Sequence, residues 1–207
     1  MADCLCSNPS ELEKLRSRQS STLKIVLAIN AVMFLVEFTA GIIASSTSLL
    51  ADSLDMLGDV FAYGFSLYVV ARDDTWKAVS AMFKGGIMAL FGFLVLGQAV
   101  YKFIHPEIPR FELIGIVGLL ALLANAYCLR LLWSHRSEDV NMSSVWLCSR
   151  NDIIANSSVL LAAVLVWALN SQWPDLVIGL GIALLFLRSS FSVFKDAGAI
   201  YSQRDRD

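Results

Sequence analysis

The sequence predicts an all-α membrane protein built as a bundle of six transmembrane helices. Three observations point to it. Hydrophobic residues make up 57 % of the 207 and charged residues 16 %, with a mean hydropathy of +0.63, whereas a soluble domain averages about 25 % charged. Six mostly apolar stretches, at 23–44, 47–71, 76–103, 111–134, 141–169 and 174–194, each approach or exceed the roughly 20 residues a spanning helix needs. The basic residues also alternate with those stretches. If six helices alternate in direction, twelve of the sixteen Lys and Arg fall on one face, Lys102 and Arg110 fall on the other, and Lys84 and Arg150 lie inside spans. Positive charge concentrates on the cytoplasmic side of membrane proteins, so both termini are expected there.

Residues 1–22 form the cytoplasmic N-terminal arm. Within it, 8–21 can begin a short helix, with Asn8 as cap, Pro9 at the first position and Glu11 and Glu13 near the positive end. A disordered arm is the alternative. Cys4-Leu5-Cys6 is a weak motif that could receive a metal at the cytoplasmic mouth. Span 1 is longer than the 7–15 residue core of a signal peptide, so no cleavable signal is expected. Reduced cysteines are expected in place of a structural disulfide.

Span 1 carries Asn30 and Glu37. SSTS at 45–48 makes a very short outer turn, so spans 1 and 2 form an antiparallel hairpin. Span 2 carries Asp52, Asp55 and Asp59. Span 3 carries Lys84 and Gly85, Gly86, Gly92 and Gly97, while span 6 carries Gly179 and Gly181. Such glycines allow close helix contact and suggest packing or a homodimer seam. HPEIPR at 105–110 is a proline-marked outer loop, HRSEDVN at 135–141 a charged inner loop and NSQWP at 170–174 the last outer turn. Trp76, Trp133 and Trp173 fall near span ends, where interfacial aromatics sit. Span 5 carries Cys148, Arg150, Asp152 and Asn156. The six-helix domain is placed at 23–195 and a short cytoplasmic tail at 196–207. Function is therefore expected in or near the lipid bilayer, with no nucleic-acid partner.

An ionisable group at membrane depth is costly and marks a functional site by default. Asp55 and Asp59 are four residues apart, as are Asp152 and Asn156, and this spacing stacks side chains on one helix face. At about 100° per residue, Asp52, Asp55 and Asp59 fall within about 60° of one another. Asp59 lies about 12 residues from the outer end of span 2 and Asn156 about 13 from the outer end of span 5, so both sit roughly 18–20 Å deep in a core of roughly 30 Å. Carboxylates this close cannot all remain ionised in low dielectric without a cation or protons. Metal ligands must be deprotonated, so a cluster that holds either species can exchange a dication for protons. Asp55, Asp59, Asp152 and Asn156 are therefore the candidate metal ligands. The bland alternative is an interhelical hydrogen-bond cluster. Asp52 is a candidate pathway residue nearer the outer mouth, or a cap or helix 1 contact, and Cys148, on the Asp152 stripe, is a candidate accessory ligand or a small buried apolar residue. Glu37, Lys84 and Arg150 are candidate charge partners, although Lys84 can instead snorkel to the boundary.

The run Asn30–Asp59, NAVMFLVEFTAGIIASSTSLLADSLDMLGD, resembles the first two helices of the cation diffusion facilitator family, with Asn and Glu in helix 1 and then S-x-S-L-L-A-D-(S/A)-x-[HD]-x-x-x-D. Asp55 and Asp59 occupy that motif's last acidic positions, and Asp152 and Asn156 match the second [HD]-x-x-x-D in helix 5. Trp173-Pro174-Asp175 followed by GLGIALLFLRSS resembles the opening of helix 6, and Asn125 has a counterpart in helix 4. The resemblance implies proton-coupled efflux of a divalent transition metal from the cytoplasm by a homodimer, with metal and protons as substrates and no resident cofactor. The plasma (inner) membrane is the expected location. Two departures stand out. A short form without the family's cytoplasmic metallochaperone-like domain after helix 6 is expected, and Asn156 replaces the last Asp. Oxygen ligands favour Mn, Fe or Co over Zn or Cd, and Cys148 in the shell would reverse that order. A non-transporting metal-binding or partner-stabilising membrane protein is the alternative. An intramembrane aspartyl protease, the enzyme reading, is disfavoured because Met56 and Leu57 precede Gly58-Asp59 where G-x-G-D is needed.

Overall fold

The computed structural model describes residues 9–69, 74–134 and 140–204. Among them the chain forms six helices and no strand: α1 Pro9–Ala44, α2 Thr47–Val69, α3 Asp74–Ile104, α4 Phe111–Trp133, α5 Val140–Leu169 and α6 Trp173–Arg204. Each expected span lies within one of these helices, apart from residues 70–71, which are not described, and Ser134, one residue past the end of α4. Three helical segments among the described residues are long and apolar enough to cross a membrane outright: Ser17–Ala44, Phe111–Trp133 and Ser149–Leu169. Apolar stretches in α3 and α6, Ala89–Ile104 and Trp173–Leu185, are shorter. α2 has 23 residues, but its three aspartates interrupt the apolar run.

Two expectations change. The short N-terminal helix is not separate, because α1 runs unbroken from Pro9 through the span. No Gly or Pro stands between Ser10 and Ala40 to interrupt it. The Asn8 cap, Cys4 and Cys6 lie outside the described residues. At the other end α6 remains helical to Arg204, ten residues beyond the expected end of its span at 194.

The sharp α1–α2 turn has a specific origin. Ser45 adopts φ 51°, its N–H donates to the Ile42 carbonyl (3.2 Å) and the Ser46 N–H reaches back to Gly41 (2.9 Å). This pair of bonds around a left-handed residue is the Schellman motif, which satisfies the last carbonyls of a helix. The Arg110 N–H adds a bond to Ala44 (3.0 Å), tying the α3–α4 loop to the same helix end.

α1 packs along α2, α4 along α5 and α3 along α6, while α2 also touches α3, α5 and α6 and so runs through the middle. The half of the bundle nearest the Ser45 turn holds the largest apolar cluster, including Ala44, Leu49, Leu54, Ile114, Val159 and Ala183. A smaller cluster around Val26, Tyr63, Cys128 and Leu132 fills the opposite half, and Cys128 is a free thiol. Close packing uses two of the glycines within the chain itself. A Cβ at Gly92 would stand 2.7 Å from Leu187, and one at Gly179 would stand 2.6 Å from the Thr47 backbone. Gly97 and Gly181 have nothing within 4 Å of such a Cβ, so neither is needed for packing within the chain.

The distribution of polarity is inverted relative to a soluble protein. Val32, Leu35, Ile116, Leu123, Trp167 and Leu185 are exposed, whereas Asn30, Glu37, Asp52, Asp59, Asn125, Asp152 and Asn156 are buried. Such an exterior is stable only against lipid, where every backbone group must be satisfied within the helix. Trp133 and Trp173 are exposed at helix ends, in keeping with an interfacial aromatic belt. The chain is an integral membrane protein.

Candidate functional site

The faces of α2 and α5 that carry the acidic pairs meet. The Asp152 carboxyl stands beside those of both Asp55 and Asp59. Asp59 also accepts a hydrogen bond from the Tyr63 hydroxyl one turn below it. Asp59, Asp152 and Asn156 are buried, and Asp55 is partly buried. Asn156 donates its amide N–H to the Asp152 carbonyl at 2.7 Å. Its Oδ1 and the Asp152 Oδ2 are left buried without a partner. Carboxyl groups in mutual contact must share a proton or a cation. Among the described residues, no group of three or more His, Cys, Asp or Glu side chains is already spaced to enclose a metal ion.

Two further helices repeat the amide pattern. Asn30 on α1 donates to the Val26 carbonyl at 2.9 Å, and Asn125 on α4 donates to the Met56 sulfur at 3.8 Å. In each case Oδ1 is buried and unpartnered. By residue count from the outer helix ends, Asn30, Asp59, Asn125 and Asn156 all lie roughly 18–23 Å deep. One layer therefore gathers amide or carboxyl oxygens from α1, α2, α4 and α5. The sequence picks out Asn30 and Asn125 chiefly through the family resemblance; their shared depth is the signal that could have joined them to the site.

Glu37 and Asp52 are both fully buried, and none of their four carboxyl oxygens has a hydrogen-bond partner. Arg150 is placed differently from expectation. It is exposed, with its guanidinium 5.6 Å from the Trp146 ring centroid, and so does not neutralise the aspartates. The reason is helix geometry, since residues two apart on a helix point about 200° apart. Lys84 and Cys148 belong to α3 and α5, but their side chains lie outside the described residues.

The end of the bundle at the Ser45 turn carries an ionic clasp that sequence reasoning does not single out. Asp175, in the first turn of α6, accepts hydrogen bonds from Ser46 Oγ (2.5 Å), Thr47 N (2.7 Å), Ser48 N (3.1 Å) and Ser48 Oγ (2.6 Å). It thus caps the positive end of α2 from another helix. The Lys102 ammonium lies 3.8 Å from the same carboxylate and also donates to the Ser45 carbonyl. Gln172 completes the knot by donating to the Lys102 carbonyl (3.3 Å) and accepting from the Glu107 N–H (2.8 Å).

Comparisons with known proteins agree with this architecture. The metal cation efflux system protein CzcD of Cupriavidus metallidurans is 25 % identical over 188 residues, which cover 85 % of this chain and 60 % of that protein. The zinc transporter ZitB of Yersinia pestis is 25 % identical over 195 residues, 86 % of this chain and 61 % of that protein. The cadmium, cobalt and zinc/H(+)-K(+) antiporter of Bacillus subtilis is 23 % identical over 194 residues, 84 % of this chain and 62 % of that protein. The chain thus spans about three fifths of the length of the curated relatives it matches. The sequence profile of the cation efflux transmembrane domain matches residues 23–200, nearly the whole of the helical bundle, and the chain belongs to that family of cation diffusion facilitators.

Proposed function

We propose that the chain exports a divalent transition-metal cation from the cytoplasm and returns protons in exchange, with Asp55, Asp59, Asp152 and Asn156 as the exchanging ligands. The observation that carries this reading is the meeting of Asp152 with Asp55 and Asp59 across two membrane helices. Three carboxyls this close must share protons when no cation is bound. Entry of a dication requires those protons to leave, because only the carboxylate form coordinates metal. Loading and unloading one site thereby couples the two fluxes. The Asp152 Oδ2 and Asn156 Oδ1 supply oxygens not engaged elsewhere, which suits a cation arriving between α2 and α5.

The family consists of transporters, not enzymes, and the protease reading is set aside. The names of the relatives favour zinc, cadmium and cobalt for this chain too, ahead of the manganese and iron that suit an oxygen-only shell. The twelve basic residues on one face support a cytoplasmic position for both termini.

The test is transport by the purified chain in proteoliposomes with a pH dye inside and Zn, Cd, Co, Mn or Fe supplied one at a time. Wild type is expected to show dication-dependent proton flux. Asp55→Ala and Asp59→Ala are each expected to reduce it at least tenfold while eluting as folded protein. Unchanged flux in both variants overturns the reading. The Asn156 departure favours one second reading, a chain that binds metal without moving it. Saturable metal binding with no flux in wild type selects that alternative.

A further inference from the structure

Glu37 and Asp52 are the most completely isolated carboxyls in the described bundle. Both are 0 % exposed, and all four of their oxygens lack a hydrogen-bond partner. They sit on α1 and α2, the two arms of one hairpin whose turn is at Ser45-Ser46. Counting from that turn at about 1.5 Å per residue puts Glu37 about 13 Å and Asp52 about 10 Å below it, against about 14 Å for Asp55 and about 20 Å for Asp59. Asp55 follows Asp52 by three residues and so lies one helical turn from it on the same side of α2. Lys102, the buried cation of the outer end, is held by Asp175 and the Ser45 carbonyl. Arg150 lies on the exterior against Trp146.

A buried carboxyl with no hydrogen bond is an expensive arrangement unless something else engages its oxygens. Here two such groups face the same region from adjacent helices. Asp55 belongs to both neighbourhoods, since it stands beside Asp152 of α5, one turn from Asp52 on α2 and at the depth of Glu37 on α1. The acidic groups therefore form a continuous ladder from mid-bilayer toward the outer face.

Resting on the efflux reading above, we infer that Glu37 and Asp52 form a second, outward station for the transported dication, with Asp55 as the ligand shared between the two stations. The ligand class is a hard-to-borderline divalent cation on carboxylate oxygen, because Glu37, Asp52 and Asp55 offer six such oxygens. The station lies inside the apolar outer cluster, between Ala40 of α1 and Ala51 and Leu54 of α2. A cation handed from Asp59 and Asp152 to this pair advances about 6–10 Å toward the outside without crossing a stretch of bare hydrocarbon.

The experiment counts Co²⁺ bound per chain at equilibrium, using the full chain in lipid nanodiscs with Cys4→Ser and Cys6→Ser to remove the N-terminal thiols. Two ions per chain are expected. Glu37→Gln with Asp52→Asn is expected to leave one, and Asp59→Asn with Asp152→Asn to remove the other. If the parent binds one ion and Glu37→Gln/Asp52→Asn binds it unchanged, the second station is overturned while the central site stands. The station is overturned equally if Glu37→Gln/Asp52→Asn alters only the pH dependence of flux and not the ion count, which would make the pair a proton carrier. If Asp59→Asn/Asp152→Asn retains both ions, the central reading fails instead. The single variant Glu37→Gln, which keeps Asp52, serves if the double variant does not fold; a loss of at least tenfold in affinity for the second Co²⁺ supports the station, and no change overturns it.

Discussion

Asn156 uses its amide N–H on the Asp152 carbonyl, which leaves a neutral oxygen as its only contribution to the centre. That choice lowers the negative charge facing Asp55, Asp59 and Asp152. Asn156→Asp would add a carboxylate at matching depth and complete the second [HD]-x-x-x-D. It would also replace the donor to Asp152 by an acceptor, so two oxygens would oppose each other at the former 2.7 Å contact. The two effects act on different states. The cation-free protein is expected to lose about 1–3 kcal/mol, the usual penalty for an unsatisfied buried polar group. Affinity for a dication is expected to rise about tenfold, or about 1.4 kcal/mol. Thermal melts with and without Co²⁺ would separate them: a lower midpoint without metal and a larger metal-induced rise than in wild type. A variant equal to wild type in both measurements would mean that Asn156 does not face the cation.

Among the helices, the junction of α2 with α6 depends on one carboxylate. Asp175 takes four hydrogen bonds from the start of α2 and neutralises Lys102. Removing one partner of a buried pair leaves the other charge uncompensated, which typically costs about 3–5 kcal/mol. Asp175→Ala is therefore expected to lower stability by about 3 kcal/mol or more, read as denaturant midpoint in detergent. Lys102→Met together with Asp175→Ala should recover part of the loss, since the stranded ammonium is then gone. This clasp is not legible in the sequence. Its partners are separated by 127–129 residues, and a Ser-Ser-Thr-Ser turn reads as ordinary loop chemistry. Lys102 reads there only as a charge on the outer face. The meeting of the α2 and α5 acidic faces is legible for the opposite reason. Four-residue spacing fixes a shared face on each helix, and distance from the span ends puts Asp59 and Asn156 at matching depth, so two independent coordinates agree before any tertiary contact is known. The helices are legible from apolar length alone, while their ends are not. The continuity of α1 through Ser17–Thr22 depends on the absence of breakers in a polar segment that has no apolar pattern of its own.

Across the whole molecule, sidedness follows from adding helix lengths to charge. α1 has 36 residues, about 54 Å at 1.5 Å per residue, against a hydrocarbon core of roughly 30 Å. The Ser45 turn and the Asp175 clasp fix its outer end. About 24 Å of α1 is therefore expected to extend past the hydrocarbon core at the other end, carrying Lys14, Arg16 and Arg18. Lys and Arg concentrate on the cytoplasmic face, so that extension, and Cys4 and Cys6 before it in the chain, are expected in the cytoplasm. The same orientation puts the Asp59–Asp152 end of the acidic ladder on the cytoplasmic side of the Glu37–Asp52 end, as the proposed export requires. A membrane-impermeant maleimide is expected to label Cys4 and Cys6 in inside-out vesicles and to leave them unlabelled in right-side-out vesicles, with Cys4→Ser/Cys6→Ser as the blank. Buried Cys128 should stay silent in both preparations. Labelling from the outside alone would invert the molecule. The ladder would then deliver cations inward, and the transport assay would have to show uptake where export is proposed.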